Sequence, residues 1–294
     1  MPTLDELIVR YGLAEHSVAI RSLVRPAVAI ISERVSQEQL APNQSRMGGL
    51  PHLPAGMAWP MFRKDPLTHI ATIRLSEASK FDHSGILPRR GLLYFWYEAA
   101  WAPWGFDPAN RGFIHVEFTP DEDQPLTLAR LPIEKFSADL LEMLPKSGVF
   151  APCRMQFQAV ETLPNWRWIC EFAPEHAAVG DGESYLELVA EWDTLNKSAH
   201  RLLGHSSLIQ EPWELLNQLV TNGLYCGDST AYSDPRAAAL KAGAKDWRLL
   251  LQIDTDTDGP GWMWGDVGMI YFGIPEPALR AREFDKAWLT LQCF

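Results

Sequence analysis

The first two dozen residues carry apolar positions at helical spacing. Apolar side chains, Leu7 and Ile8 among them, recur every three to four residues and so lie on one face of a helix. Thr3 followed by Glu6 forms a capping box, in which each side chain can pair with a free amide at the helix start. This pattern predicts N-terminal helices within residues 1–25.

Short apolar runs broken by proline and glycine follow, and their alternation is typical of β-strands. The predicted strands are residues 26–31, 69–75, 91–97, 112–118, 125–131, 153–162, 247–254, 267–274 and 287–293. Helical spacing returns in the middle of the chain, between about residues 183 and 243. We therefore predict an α+β fold with a mainly antiparallel β core, and with helices at the N-terminus and in the middle.

Two stretches of the chain resemble each other, residues 72–97 and 252–274. Their alignment matches Tyr94-Phe95 with Tyr271-Phe272, and a similar glycine turn precedes each stretch. These turns are Arg46-Met47-Gly48-Gly49 and Arg201-Leu202-Leu203-Gly204. Self-similarity of this kind predicts two pseudo-repeated β halves.

No low-complexity linker divides the chain, so residues 1–294 are expected to form a single domain. Within it we expect a first β half over residues 26–175. A helical insertion and the second β half should follow over residues 176–294. The sequence does not reveal the oligomeric state.

Composition and charge limit the classes of partner. The net charge is −11, from 37 acidic and 26 basic side chains, so nucleic acid and anionic membrane surfaces are poor partners. No run of 18 apolar residues occurs, and the first residues lack the pattern of a secretory signal. The four cysteines are widely spaced, which favours reduced thiols and a cytoplasmic location.

Several segments resemble the characteristic stretches of the YwqG-like proteins, a bacterial family of domains of unknown function. They include SRMGGLPHLPAGMAWP at 45–60, LPRRGLLYFWY at 87–97 and the stretch 247–294. The chain departs from the family pattern at Met47, where an aromatic residue is usual, and at Glu211, where a glycine is usual. The resemblance implies a compact cytosolic bacterial protein and an association with toxin and immunity genes. It supplies no reaction, substrate or catalytic residue.

An acidic segment offers a candidate metal site. Asp254, Asp256 and Asp258 alternate before Gly259, as in the first half of an EF-hand calcium loop. The twelfth position lacks the required glutamate, because Asp266 comes one residue too late, so the segment is not an EF-hand. Two interpretations remain: a looser calcium or magnesium site using these four aspartates, or the polar tip of a β-hairpin. No other cofactor is expected.

Glycine and histidine motifs give weaker signals. Gly48, Gly49 and Pro51 lack the rest of a phosphate-binding loop, so we interpret them as a structural turn. His205 precedes two serines, but no nucleophile elbow surrounds them. A metal-dependent hydrolase that combines the loop 254–266 with His205 is one alternative function.

Aromatic residues crowd several predicted loops. The rings are those of Phe106 and of four of the chain's twelve tryptophans, Trp101, Trp104, Trp262 and Trp264. Large rings are costly to leave in water, so these loops either fold over the sheet or form a binding surface. The favoured function is a non-catalytic protein-binding module, in the manner of a toxin-immunity protein, with His205 as a further contact. A small-molecule or carbohydrate-binding domain is the second alternative.

Overall fold

The computed structural model describes residues 2–143, 149–179, 182–197 and 199–294, and it contains one large antiparallel sheet. The strands are β1 (Arg25–Arg34), β2 (Arg46–Met47), β3 (His52–Pro54), β4 (Met61–Phe62), β5 (Asp65–Pro66), β6 (Thr68–Arg74), β7 (Leu92–Tyr97), β8 (Ile114–Thr119), β9 (Leu126–Leu128), β10 (Cys153–Thr162), β11 (His200–Leu203), β12 (Trp247–Asp254), β13 (Met269–Pro275) and β14 (Trp288–Gln292). The large sheet has the order β14-β13-β12-β11-β1-β10-β2-β6-β7-β8, while β3 pairs with β9 and β4 with β5.

Helices flank this sheet in the two predicted regions and also outside them. They are α1 (Leu4–Arg10), α2 (Ser17–Leu23), α3 (Leu75–Ala78), α4 (Ala138–Met143), α5 (Trp166–Phe172), α6 (Glu183–Asn196), α7 (Trp213–Thr221), α8 (Thr230–Ser233), α9 (Pro235–Leu240) and α10 (Glu276–Ala281). Of these, α3, α4, α5 and α10 lie outside the predicted regions. The capping box of α1 is formed, because Thr3 Oγ1 accepts from the Glu6 amide and the Glu6 carboxylate accepts from the Thr3 amide. The predicted α+β class with a mainly antiparallel core is confirmed. None of the described helices is long and apolar enough to cross a lipid bilayer.

The two pseudo-repeated halves are confirmed by the strand register. Arg46 of β2 pairs with Thr72 of β6, and Arg201 of β11 pairs with Gln252 of β12. The following strands continue the correspondence, since both the β6–β7 and the β12–β13 pairs contain a register shift at the same place. Thus β2, β6, β7 and β8 correspond to β11, β12, β13 and β14.

The halves exchange their first strands. β1 pairs with β11, and β10 pairs with β2, while β1 and β10 pair with each other at the centre of the sheet. The second half of the repeat therefore starts at Cys153, earlier than the division at residue 176 that the sequence suggested. This exchange joins the halves into one continuous sheet.

Each of the strands β2 and β11 ends at two consecutive residues whose backbone has the left-handed conformation. The φ angles are 62° and 61° at Gly48 and Gly49, and 61° and 72° at Leu203 and Gly204. A Cβ at Gly48 would lie 2.3 Å from the Ala151 carbonyl oxygen, so no side chain fits there. The left-handed backbone favours glycine at both positions, and close packing requires it at Gly48.

The sheet curves until its two edges approach each other, and the main apolar core lies inside the curve. The rings of Phe95 and Phe272, on the equivalent strands β7 and β13, meet edge to face with centroids 5.2 Å apart. Phe113, just before β8, lies 5.1 Å from Trp288 of β14, so the edge strands share this core. A second apolar cluster joins the N-terminal helices to α6.

Candidate functional site

The aspartate loop is held together by its own hydrogen bonds. Asp256 Oδ1 accepts from the Gly259 amide at 2.7 Å, and Oδ2 accepts from Ser32 Oγ at 3.1 Å. His200 Nε2 lies 3.4 Å from the same Oδ2, while its Nδ1 accepts from the Asp254 amide at 3.0 Å. Since Nδ1 is an acceptor, Nε2 carries the hydrogen. The hydrogen bond from His200, followed by the Gly259 amide, lowers the pKa of Asp256 to about 2.

The tryptophans of this loop point inward. Trp262 and Trp264 are each 1% exposed, and their indole nitrogens donate to the Asp254 carbonyl at 3.0 and 3.3 Å. Asp258 and Asp266 lie at the surface. Within the described ranges, there is no group of three or more His, Cys, Asp or Glu side chains that could hold a metal ion. This arrangement is that of a polar hairpin tip above buried indoles.

His205 is buried far from the aspartate loop. Its Nε2 donates to the Leu23 carbonyl at 2.9 Å, and its ring meets Trp168 edge to face at 4.9 Å. Burial, and then the charge of Arg25, lower the pKa of His205 well below its ordinary value. Asp256 contacts Ser32 at the other end of β1, and the seven residue steps from Arg25 to Ser32 span roughly 23 Å in an extended strand. The combination of His205 with the loop 254–266 is therefore not assembled.

The Trp101–Phe106 loop lies along the outer edge of β14. The Trp104 carbonyl accepts from the Leu291 amide at 3.2 Å, and the Gly105 carbonyl accepts from the Trp288 indole at 2.9 Å. A Cβ at Gly105, whose φ is +87°, would lie 2.0 Å from the Leu289 carbonyl oxygen. The loop thus covers part of the free edge of the sheet and is held in a fixed position by it.

Two rings of this loop remain in solvent although the backbone is fixed. Trp101 is 57% exposed and Trp104 is 38% exposed, whereas Phe106 is partly buried, with its ring 5.9 Å from that of Trp104. Met263 and Val267, on the neighbouring loop beside β14, are 56% and 50% exposed. We call the exposed rings of Trp101 and Trp104 the indole surface.

A second feature was not predicted from the sequence. Arg25, Arg248 and Arg280 line a cleft of about 190 Å³, together with Glu276 and the turn at Gly204. These residues are scattered over 256 positions and form no sequence motif, so only the register of β1 with β11 and the position of α10 reveal their proximity. We call this cavity the arginine cleft.

Comparison with known proteins places the chain in a family without assigning it an activity. A family model described as Domain of unknown function (DUF1963) matches residues 45–293, so the chain belongs to that family. This supports the expected membership in a family of unknown function, while the narrower YwqG-like assignment stays a resemblance. No curated protein matches the chain.

Proposed function

We propose that this member of the DUF1963 family is a protein-binding module that contacts its partner through the indole surface. The observation that carries the proposal is the contrast at Trp104, whose carbonyl is hydrogen-bonded to the edge strand while its ring is 38% exposed. A rigid backbone lowers the entropy lost on binding, and tryptophan is the side chain most often found at interface hot spots. The loop therefore has the properties of a preorganised contact.

The charge of the chain indicates the kind of partner. With a net charge of −11, the protein attracts a partner whose surface is positively charged and repels acidic ones. The narrower form of the proposal is an immunity-type protein in the bacterial cytosol that covers the surface of a basic toxin. Opposite charges would then speed the association of the two proteins. The rings of Trp101 and Trp104, once covered by the partner, would slow dissociation.

Site-specific photo-crosslinking in cells of the source organism tests this proposal. A photoreactive aromatic residue replaces Trp104 in one variant and Leu186 in the control, because Leu186 is 42% exposed on α6, away from β14. We expect the residue at position 104 to crosslink to a basic protein, and the residue at position 186 not to do so. Trp101→Ala in the same chain should lower the yield, and added salt should slow the capture.

Two results would contradict the proposal. One is the same set of crosslinked proteins from positions 104 and 186, which would indicate random collisions. The other is unchanged affinity of the double variant Trp101→Ala and Trp104→Ala for the purified partner, once mass spectrometry has identified it. Either result would leave the exposed indoles without a role in binding.

A further inference from the structure

The arginine cleft contains more positive than negative charge in an acidic protein. Glu276 is the one carboxylate among the described residues that line it. Its Oε2 pairs with Arg248 at 2.6 Å, and its Oε1 accepts from Arg280 at 2.7 and 2.9 Å. The Glu276 carboxylate is therefore shared by the guanidinium groups of Arg248 and Arg280. Arg25 brings a third guanidinium group to the cleft, which does not pair with this carboxylate.

Among the described residues, no carboxylate pairs directly with Arg25, and the charges of Glu214 and Glu276 act on it only at longer range. Its guanidinium makes no hydrogen bond or ion pair with any residue in the described part of the chain, and it stacks over the Trp168 ring at 4.9 Å. The N–H groups of this guanidinium are therefore used by no residue in the described part of the chain and can donate to a ligand. Arg25 lines the arginine cleft and also a second cavity, which it shares with Trp168 and His205, so this half-buried cation borders both.

The pKa values of Arg25 and of the neighbouring Glu214 are both shifted by burial. Burial, and then the neighbouring Arg248, lower the pKa of Arg25 to about 10, so that it remains charged at neutral pH. Glu214 is the nearest other carboxylate, but burial raises its pKa to about 7, and its Oε1 accepts from the Trp168 indole at 2.8 Å. A half-buried cation beside another cation is unfavourable unless an anion joins them.

The internal repeat shows that the fold does not require these arginines. In the other half of the repeat, Phe150 stands at the position equivalent to Arg25, and Thr68 at the position equivalent to Arg248. Thr68 and Arg248 share a strand register. The Phe150 position follows when the alignment of β10 with β1 is continued three residues before Cys153, so the other half forms with an aromatic ring and a hydroxyl there. The cluster of arginines is therefore a property of one half and not of the architecture.

We propose that the arginine cleft binds the phosphate group of a small phosphate monoester. Three guanidinium groups and one carboxylate leave two positive charges, which match the charge of about −1.5 to −2 on a phosphate monoester at neutral pH. Guanidinium groups form paired hydrogen bonds to phosphate oxygens. Leu203 and Leu249 provide an apolar wall for the body of the molecule. The volume of about 190 Å³ limits that body, since it equals the space of roughly six water molecules.

Calorimetric titration and thermal unfolding of the purified 294-residue chain test this site, which is independent of the indole surface. The probes are inorganic phosphate, glycerol phosphate, acetate and benzoate, each compared with sodium chloride at equal ionic strength. Arg25→Gln and Arg280→Gln remove one cation each. Arg154→Gln is the matched control, because it makes the same change in net charge at the opposite end of β1, where Arg154 pairs with Glu33.

We expect glycerol phosphate to bind and to raise Tm, and Arg25→Gln to weaken its Kd by about tenfold or more. Arg280→Gln should also weaken binding, while Arg154→Gln should not. Without phosphate, Arg25→Gln should unfold at or above the wild-type temperature, because a structural arginine would lower Tm when removed and an unpaired ligand-binding one would not.

Three outcomes would overturn the proposal. The first is the absence of any phosphate effect beyond that of sodium chloride. The second is equal binding by the wild type and Arg25→Gln. The third is binding of acetate or benzoate without binding of either phosphate probe, which would assign the cleft to carboxylates.

Discussion

Arg46 and Arg201 occupy equivalent positions in the two halves, and both are completely buried, yet their guanidinium groups have different partners. Arg46 donates to the Pro42 and Gln44 carbonyls at 3.0 and 3.2 Å, and burial lowers its pKa to about 10. Arg201 instead lies 3.6 Å from the Asp193 carboxylate. The halves therefore keep the same buried cation before the same turn while their surroundings have diverged.

The turn after Arg201 gives a stability prediction. Gly204→Ala should destabilise the protein, because its φ is +72° and a Cβ would lie 2.5 Å from Thr162 Oγ1 and 2.6 Å from Ala27 Cβ. The left-handed backbone costs roughly 1–2 kcal/mol, and overpacking adds about 1–3 kcal/mol. Gly12→Ala is the control, since its φ is +71° and nothing lies within 4 Å. Urea unfolding should give a clearly larger loss for Gly204→Ala, and equal losses would refute the role of close packing.

The aromatic loops should divide into two groups by stability. Trp264→Ala should lower the free energy of unfolding by about 3–5 kcal/mol, because its buried ring contacts Phe150 and Tyr97. Trp101→Ala should change it by about 0.5 kcal/mol or less, since its ring is 57% exposed. Denaturant titration of both variants measures the difference. A large loss for Trp101→Ala would mean that this ring covers the core.

Asp256 should contribute to the acid sensitivity of the protein. Its pKa falls from an ordinary 3.8 to about 2 on folding, so its stabilising effect is present above pH 4 and is lost as the pH falls towards 2. Asp256→Asn keeps an oxygen that can accept from the Gly259 amide but cannot titrate. We expect the stability of this variant to fall less steeply between pH 4 and 2. Parallel curves for the two proteins would contradict the arrangement around His200.

Glu214 should act in the opposite direction. Burial raises its pKa from 4.5 to about 7, so the folded state holds the proton more tightly and stability falls as the pH rises through this range. Its Oε2 has no hydrogen-bond partner among the described residues. Glu214→Gln preserves an acceptor for the Trp168 indole and removes the charge. Relative to the wild type, it should be more stable at pH 8 than at pH 5, as measured by urea unfolding at both values.

Local patterns were sufficient to predict much of the fold. The strands at 153–162 and 247–254 match the prediction, because their flanking turn residues mark both ends. The matched Tyr94 and Tyr271 also lie in equivalent register, since the alignment followed a true repeat. The exchange of β1 and β10 between halves left no local signal, because strand pairing depends on contacts distant in sequence.

The candidate site was less predictable for the same reason. Trp101 and Trp264 have similar sequence surroundings, with glycine and proline nearby, but one ring is exposed and the other is buried. What separates them is the packing of each loop against β14, which the alternation of residues does not encode. Likewise, helix α5 was not predicted, although Asn165 caps it by accepting from the Arg167 amide. Arg25 becomes a candidate ligand-binding residue only when the structure shows it beside Trp168 of this helix.

The most direct test of the proposed binding surface is oxidative footprinting of tryptophans in the wild-type protein, with and without the partner that crosslinking identifies. Trp262 and Trp264 serve as internal controls, because each is 1% exposed in the free protein. We expect Trp101 and Trp104 to be oxidised readily in the free protein and protected in the complex, while the two buried indoles stay unreactive in both. Equal oxidation of Trp101 and Trp104 in the free and bound protein would contradict the account.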